Sequence, residues 1–143
     1  MSRPTNCVVD ASVGIKLVVA EDGTEQATDL LLDPAVALHV PDLFFIECAN
    51  VLWKKARRGE YSVDDAADDL ADLREIDPNA TPSISLVDRA FLIANAEGIS
   101  AYDACYVALA ESLAVPLVTA DERLATKLAG TAHEVVALAT EVP

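Results

Sequence analysis

The sequence predicts an α/β fold with a mostly parallel central sheet. Short apolar runs that suit buried strands alternate with longer segments in which apolar residues recur at helical spacing. Parallel strands need a crossover between them, usually a helix, so this alternation is typical of a parallel sheet. The 143 residues suffice for one hydrophobic core, and we expect a single domain spanning residues 1–143.

In the first half of the chain, strands are predicted at residues 7–10 and 36–40, where Val and Leu dominate. Helices are predicted at residues 12–19, 24–32 and 42–58. Thr24 and Asp42 are the residue types that cap a helix N-terminus, and Gly59 suits the position after a helix end.

In the second half, strands are predicted at residues 116–119 and 134–138. Residues 77–82 are rich in turn formers and are predicted as a connection, followed by a short extended piece at 83–85. Helices are predicted at residues 62–75 and 100–113, and both begin with a capping box. A further helix is predicted to end at Gly98, and the last one spans residues 121–129.

The composition narrows the classes of protein. The chain carries 10 basic and 24 acidic residues, a net charge of −14, which argues against a general nucleic-acid binder because phosphate contacts rely on Lys and Arg. No apolar run reaches the roughly 18 residues of a membrane span and no secretory leader is visible, so we expect a cytoplasmic protein with no membrane partner. Cys7, Cys48 and Cys105 stand far apart in apolar surroundings, which predicts buried thiols.

Four acidic residues stand at positions with chemical meaning. Asp10 and Asp121 follow predicted strands, Glu47 interrupts an apolar helical face, and Asp103 heads an almost wholly apolar helix. Each can be explained singly, as a helix cap or as a boundary residue paired with a cation. Together, near the carboxyl ends of parallel strands, they predict an all-oxygen site for a hard cation and metal-dependent phosphoryl chemistry with water as the nucleophile.

Four segments together carry a resemblance to a known family. Val8-Val-Asp-Ala-Ser12, residues 41–52 around Glu47, residues 100–110 around Asp103, and residues 117–124 around Asp121 resemble the four motifs of PIN domains. They occur in the family's order and spacing and span nearly the whole chain. Within the family, the sequence resembles the VapC-type toxins of toxin–antitoxin pairs.

The resemblance implies a three-layer α/β/α PIN-like fold and a metal-dependent endoribonuclease that hydrolyses RNA with a metal-activated water. Asp10, Glu47, Asp103 and Asp121 match the acidic residues that would hold one or two Mg²⁺ or Mn²⁺ ions. Ser12 and Thr119 match hydroxyl positions that orient those ligands, and Asn50 matches a polar position beside Glu47. The resemblance also implies a homodimer and a small antitoxin protein that inserts into the active-site groove.

The basic residues are concentrated near the motifs. Lys54, Lys55, Arg57 and Arg58 cluster at one helix end, and we expect Lys16, Lys54 and Arg123 to contact RNA phosphates. The alternative for the cluster is a solvated helix end whose cations complement the helix dipole. Residues 60–77 hold eight acids against one Arg, so much of the negative charge lies on one helix and in the predicted metal site. This distribution predicts selective, metal-dependent RNA binding.

Two other classes of function remain open on the residues alone. One is a phosphotransfer module or phosphatase with an acidic pocket, although a dehalogenase-like enzyme would need a second Asp where Ser12 stands. The other is a binding protein without catalytic activity, in which the acids only cap helices and solvate the surface.

Overall fold

The sheet is the centre of the fold. The computed structural model describes residues 4–138, and within them five strands form one sheet in the order β3-β2-β1-β4-β5, with every neighbouring pair parallel. The strands are β1 (Asn6–Val9), β2 (Ala37–Pro41), β3 (Asn79–Thr81), β4 (Leu117–Thr119) and β5 (Val135–Ala137). The predicted α/β class with a mostly parallel sheet is confirmed.

Seven helices in the described part of the chain form the two outer layers. They are α1 (Ala11–Val18), α2 (Thr24–Leu31), α3 (Leu43–Arg57), α4 (Val63–Glu75), α5 (Val87–Glu97), α6 (Ala101–Leu113) and α7 (Glu122–Leu128). Helices α1 to α4 pack against one another, and α5 packs against α6. The chain moves outward from β1 to β3 and then returns through β4 to β5, so right-handed crossovers place the two groups on opposite faces.

The core is aliphatic and is centred on β1 and α6. Cys7, Val8 and Val9 of β1 are buried, as are seven consecutive residues of α6, from Ala104 to Ala110. A helix that is buried around most of its circumference belongs to the interior, as its apolar sequence predicted. All three cysteines are free and buried, which confirms their predicted role as small core side chains.

Two predictions between residues 77 and 85 were wrong. The connection predicted at 77–82 contains the edge strand β3, and the piece predicted as extended is a 3₁₀ turn, Ser83–Ser85. The three residues of β3 lack the branched apolar side chains that mark strands, and their strand conformation depends on parallel pairing with β2. Tertiary pairing therefore determines this segment.

Two predicted caps also differ from the structure. Gly23, in a left-handed conformation, occupies the N-cap of α2, and Thr24 is the first helical residue. Asp42 does stand at the N-cap of α3, but its carboxylate accepts hydrogen bonds from the backbone N–H (2.9 Å) and Oγ (2.5 Å) of Ser83. Asp42 thus joins α3 to the 3₁₀ turn. Ser62 and Ser100 are the N-caps of α4 and α6, as the predicted capping boxes require, and each Oγ accepts a hydrogen bond from the backbone N–H three residues on.

Helix α1 approaches α3 closely at a glycine. A Cβ atom on Gly14 would lie 2.7 Å from Cζ of Phe44 and 3.5 Å from Sγ of Cys48. Both of these side chains are buried, so their space is fixed by the surrounding core. Gly14 is therefore required by packing, although glycine weakens a helix interior.

None of the helices between residues 4 and 138 combines the length and the apolar character needed to cross a bilayer.

We expect Gly14→Ala to lower the stability of the protein. Overpacking costs about 1–3 kcal/mol, and an approach of 2.7 Å to a buried ring favours the upper part of that range, above the roughly 1 kcal/mol that alanine contributes to helix propensity. Phe44→Leu removes the obstructing ring. The double variant should therefore lose less stability than the sum of the losses in the two single variants. Urea unfolding measures all four proteins, and a Gly14→Ala variant as stable as the wild type would contradict the packing argument.

Candidate functional site

Asp10 is the most buried acidic residue of the candidate site. It follows β1 directly and forms the N-cap of α1, where its Oδ1 accepts a hydrogen bond from the backbone N–H of Val13 at 3.3 Å. Only 5% of the residue is exposed. Burial raises the pKa of Asp10 to about 6, against the opposing effect of its hydrogen bonds. The end of β1 therefore holds a carboxylate in surroundings that disfavour its charge.

Two hydroxyl groups hold this carboxylate from both sides. Ser12 Oγ donates to Asp10 Oδ1 at 2.5 Å, and Thr119 Oγ1 donates to Oδ2 at 2.5 Å. The backbone N–H of Ala120 donates to Ser12 Oγ at 2.9 Å, and that of Asp121 donates to Thr119 Oγ1 at 3.0 Å. We call Asp10, Ser12 and Thr119 the Asp10 clamp. It joins the end of β1, the start of α1 and the end of β4.

Glu47 is held by a residue of the central helix. It lies half-buried on α3, and its Oε1 accepts a hydrogen bond of 2.6 Å from the hydroxyl of Tyr106 on α6. Burial raises the pKa of Glu47, the negative charge of Asp103 raises it further, and the Tyr106 hydrogen bond opposes both. Burial and the neighbouring Glu47 carboxylate also raise the pKa of Tyr106, which keeps this hydroxyl protonated as a donor.

Asp103 and Asp121 complete the acidic group. Asp103 lies half-buried in the first turn of α6, where burial and then the negative charge of Asp121 raise its pKa. Asp121 is exposed and caps α7, with Oδ1 accepting hydrogen bonds from the backbone N–H groups of Arg123 (3.0 Å) and Leu124 (3.2 Å). The structure thus places the four acids predicted from the sequence at the carboxyl edge of the sheet, with Asp103 close enough to influence Asp10 and Glu47, and Asp121 close enough to influence Asp103.

The chemistry of this group fits a hard divalent cation. All its donors are carboxylate oxygens, and each charge that raises the pKa of Asp10, Glu47 or Asp103 belongs to another of the four acids. Among residues 4–138, no three Asp, Glu, His or Cys side chains are arranged as a ready metal-binding group. Like charges repel, and several of these oxygens already accept hydrogen bonds, so coordination would require the carboxylates to turn toward a common point.

The other predicted site residues differ in their exposure to solvent. Asn50 and Lys54 are exposed on α3, and Arg123 is exposed at the start of α7. Lys16 is mostly buried, and its Nζ donates to the carbonyl of Asp22 at 2.5 Å. Lys16 shares a surface depression with Ser12, a residue of the Asp10 clamp.

That depression, of about 290 Å³, includes a cation that sequence reasoning did not single out. Ser12, Lys16, Glu21, Lys55 and Ala120 line it together with apolar residues. We call it the Lys16–Lys55 depression. Lys55 follows Glu47 by eight residues, which places it on the same side of α3 two turns further on, and this spacing was the available signal.

Sequence reasoning also missed the role of Tyr106. The residue stands in the apolar run of α6, which gives it the sequence pattern of a core side chain, and it is buried. Its position three residues after Asp103 on one helix was the only signal that its hydroxyl lies near the acids.

Comparison with known proteins identifies the family. Residues 7–129 match the PIN domain family, so the chain belongs to it, and the resemblance in the motifs is confirmed. Within that family, the chain is similar to Ribonuclease VapC3 from Pyrobaculum aerophilum, with 41% identity over 122 residues that cover 84% of this chain and 92% of that protein.

Solved structures agree with this assignment. The crystal structure of PAE2754 from Pyrobaculum aerophilum superimposes with a TM-score of 0.68 at 26% identity, covering 95% of this chain and 92% of that one. A toxin–antitoxin complex from Klebsiella pneumoniae contains a chain with a TM-score of 0.67 at 15% identity, covering 94% of this chain and 99% of that one. The second similarity concerns the fold.

We expect Asp103→Asn to raise the melting temperature in EDTA by a few degrees. The neutral amide removes a charge that burial and Asp121 both disfavour, while the capping hydrogen bond from the Asp103 backbone N–H to Ser100 Oγ stays in place. Asp29→Asn, the same change on the exposed side of α2, is the control and should have little effect. Scanning calorimetry without divalent ions measures the shift, and a lower melting temperature for Asp103→Asn would contradict the electrostatic account.

Proposed function

We propose that this chain is a metal-dependent endoribonuclease and the toxin of a type II toxin–antitoxin pair. The observation that carries the proposal is the group of four carboxylates at the carboxyl edge of a PIN-domain sheet, in which burial and then the charge of a neighbouring acid raise the pKa of Asp103, and burial and the charge of Asp103 raise those of Asp10 and Glu47. The similarity to a protein named Ribonuclease VapC3 supports the reaction class. An all-carboxylate site is also the donor set expected for metal-dependent work on phosphates.

Asp10, Glu47, Asp103 and Asp121 would hold one or two Mg²⁺ or Mn²⁺ ions. Such an ion supplies Lewis-acid activation of water and stabilises negative charge that develops at a phosphodiester. Its two positive charges would offset the burial and the repulsion by a neighbouring acid that together raise the pKa of Asp10, Glu47 and Asp103.

The remaining residues of the site hold the acids in place. Ser12 and Thr119 fix both oxygens of Asp10, and Tyr106 fixes Oε1 of Glu47. Orientation of this kind limits the motion of a ligand and so favours one productive geometry. Asn50, one turn after Glu47 on α3, offers a further polar group at the exposed margin of the site.

RNA would meet the few cations placed near the acids. Lys16, Lys54 and Arg123 are assigned to phosphate contacts, Lys16 inside the depression and the other two on the exposed surface. Most of the eight acids between residues 60 and 77 belong to α4, and the net charge of −14 opposes a general attraction for polyanions. RNA binding would therefore be weak without a divalent ion.

The proposal includes the partners that the family resemblance implies. These are a small antitoxin that covers the acidic groove and a second copy of this chain in a homodimer. The fold is shared with a chain of a toxin–antitoxin complex, which supports the antitoxin. We place the protein in the cytoplasm, where RNA is available as substrate.

The function is tested by RNA cleavage together with metal binding. The wild type should cleave single-stranded RNA in Mn²⁺ and should not do so in EDTA, and Mn²⁺ should raise its melting temperature. Asp103→Asn should reduce cleavage by at least about 100-fold, because charge stabilisation by a metal is worth several kcal/mol. The Mn²⁺-induced rise in melting temperature should shrink in the same variant.

Asp29→Asn serves again as the control, since it removes an exposed charge outside the acidic group. If cleavage persisted undiminished in both EDTA and Asp103→Asn, the metal-dependent nuclease would be wrong. If cleavage instead depends on Mn²⁺ and on Asp103, mapping the cut sites in total RNA would identify the class of RNA that is cleaved.

Tyr106→Phe tests the positioning of Glu47. Loss of the hydroxyl removes the 2.6 Å hydrogen bond, and we expect kcat and the apparent affinity for Mn²⁺ to fall by about 10-fold while KM for RNA changes little. Tyr61→Phe is the matched control, because the Tyr61 hydroxyl donates to Asp69, a residue of α4. Equal effects of the two changes on the Mn²⁺ dependence would refute a specific role for Tyr106.

A further inference from the structure

The Lys16–Lys55 depression lies directly beside the Asp10 clamp. Its wall includes Ser12, whose hydroxyl donates to Asp10, and Ala120, whose backbone N–H donates to Ser12. Two lysines from different helices line the same space, Lys16 from α1 and Lys55 from α3. In a chain with 10 basic and 24 acidic residues, two lysines beside a carboxylate site favour an anionic ligand, and Glu21, which pairs with Lys16, neutralises only one of them.

We infer that this depression binds a phosphate of the RNA backbone next to the one that is cleaved, and that Glu21 occupies the position in the free protein. The inference rests on the proposed function, since it assigns a subsite to the same substrate. It adds Lys55 to the residues that bind RNA and gives Glu21 the role of an internal competitor.

The distance along α3 fixes which phosphate the depression serves. Glu47, Val51 and Lys55 follow one another at intervals of four residues, so they form one line on the helix surface. Eight residues correspond to an axial rise of about 12 Å. This offset from Glu47 favours contact between Lys55 and a phosphate that neighbours the scissile one on the same strand.

In the free protein, Glu21 pairs with Lys16, and a phosphate of the substrate would displace the Glu21 carboxylate from this lysine. Glu21 Oε1 lies 3.4 Å from Lys16 Nζ, and 40% of the Glu21 side chain is exposed, so the carboxylate can move out to solvent. A phosphodiester carries the same single negative charge. The exchange of Glu21 for phosphate replaces one partly exposed ion pair by another, and the hydrogen bond from Lys16 Nζ to the Asp22 carbonyl can remain.

The position of Lys55 separates it from the rest of the basic cluster. Lys54, Arg57 and Arg58 are exposed, and Arg57 stacks over the ring of Trp53 at 5.5 Å while Arg58 pairs with Glu60 at 3.5 Å. Lys55 instead shares the depression with Lys16. The cluster is therefore divided between an exposed face and a face that turns toward the site.

The test compares steady-state cleavage of one RNA oligonucleotide by the full chain in Mn²⁺ at several salt concentrations. We expect Lys55→Gln to raise KM up to about fivefold at low salt, with kcat nearly unchanged, and to reduce the slope of log KM against log salt by about 0.7. Lys55→Arg should keep the wild-type KM. Glu21→Gln should lower KM, because it frees Lys16 for phosphate.

Arg74→Gln, which removes a positive charge from the exposed side of α4, is the control for net charge. Equal KM and salt slope for Lys55→Gln and Arg74→Gln would overturn the subsite, as would a rise in KM for Glu21→Gln. A variant in which KM is unchanged but binding of a protein partner is weakened would also overturn it and assign the depression to that partner. Failure of the subsite can be distinguished from failure of the proposed function, because in the second case the wild type would not cleave RNA at all.

Discussion

The site depends on one buried carboxylate and the two hydroxyl groups that hold it. Asp10 is too buried to be stabilised by water, and it accepts hydrogen bonds from Ser12 and Thr119 at 2.5 Å each. The hydroxyls are in turn fixed by backbone N–H groups of the loop that follows β4. Because β1 and β4 are neighbours in the sheet, the same contacts that orient the carboxylate also join the ends of the two strands.

The central helix α6 extends this constraint to the rest of the acids. Asp103 stands in its first turn and Tyr106, one turn later, donates to Glu47 on the opposite layer. Seven consecutive buried residues hold the helix in the core, so both groups have a fixed position relative to the sheet. The packing of the core therefore offsets the repulsion among the carboxylates. Functional sites commonly lower the stability of a protein in this way, and the rest of the fold compensates.

Much of this arrangement could be predicted from the sequence, because local signals and the fold agree. The runs at β1 and β4 are apolar and end in Asp10 and Asp121, and parallel topology brings such ends to one edge. The edge strand β3 could not be predicted, since its pairing with β2 and not its composition makes it a strand. The hydrogen bond of Tyr106 and the inward position of Lys55 depend on how α3 faces α6 and α1, which periodicity within one helix does not determine.

The large sequence separation within the Asp10 clamp determines when, during synthesis of the chain, the site can form. Asp10 and Thr119 are 109 residues apart, and Asp121 follows only after β4. During synthesis, a chain that has emerged as far as α6 contains three of the four acids but lacks Thr119, one of the two hydroxyls that hold Asp10, and β4, one of the two strands that pair with β1. Assembly of the site is therefore coupled to the last long-range pairing of the sheet, and a truncated product would carry the acids without the geometry that makes them a site.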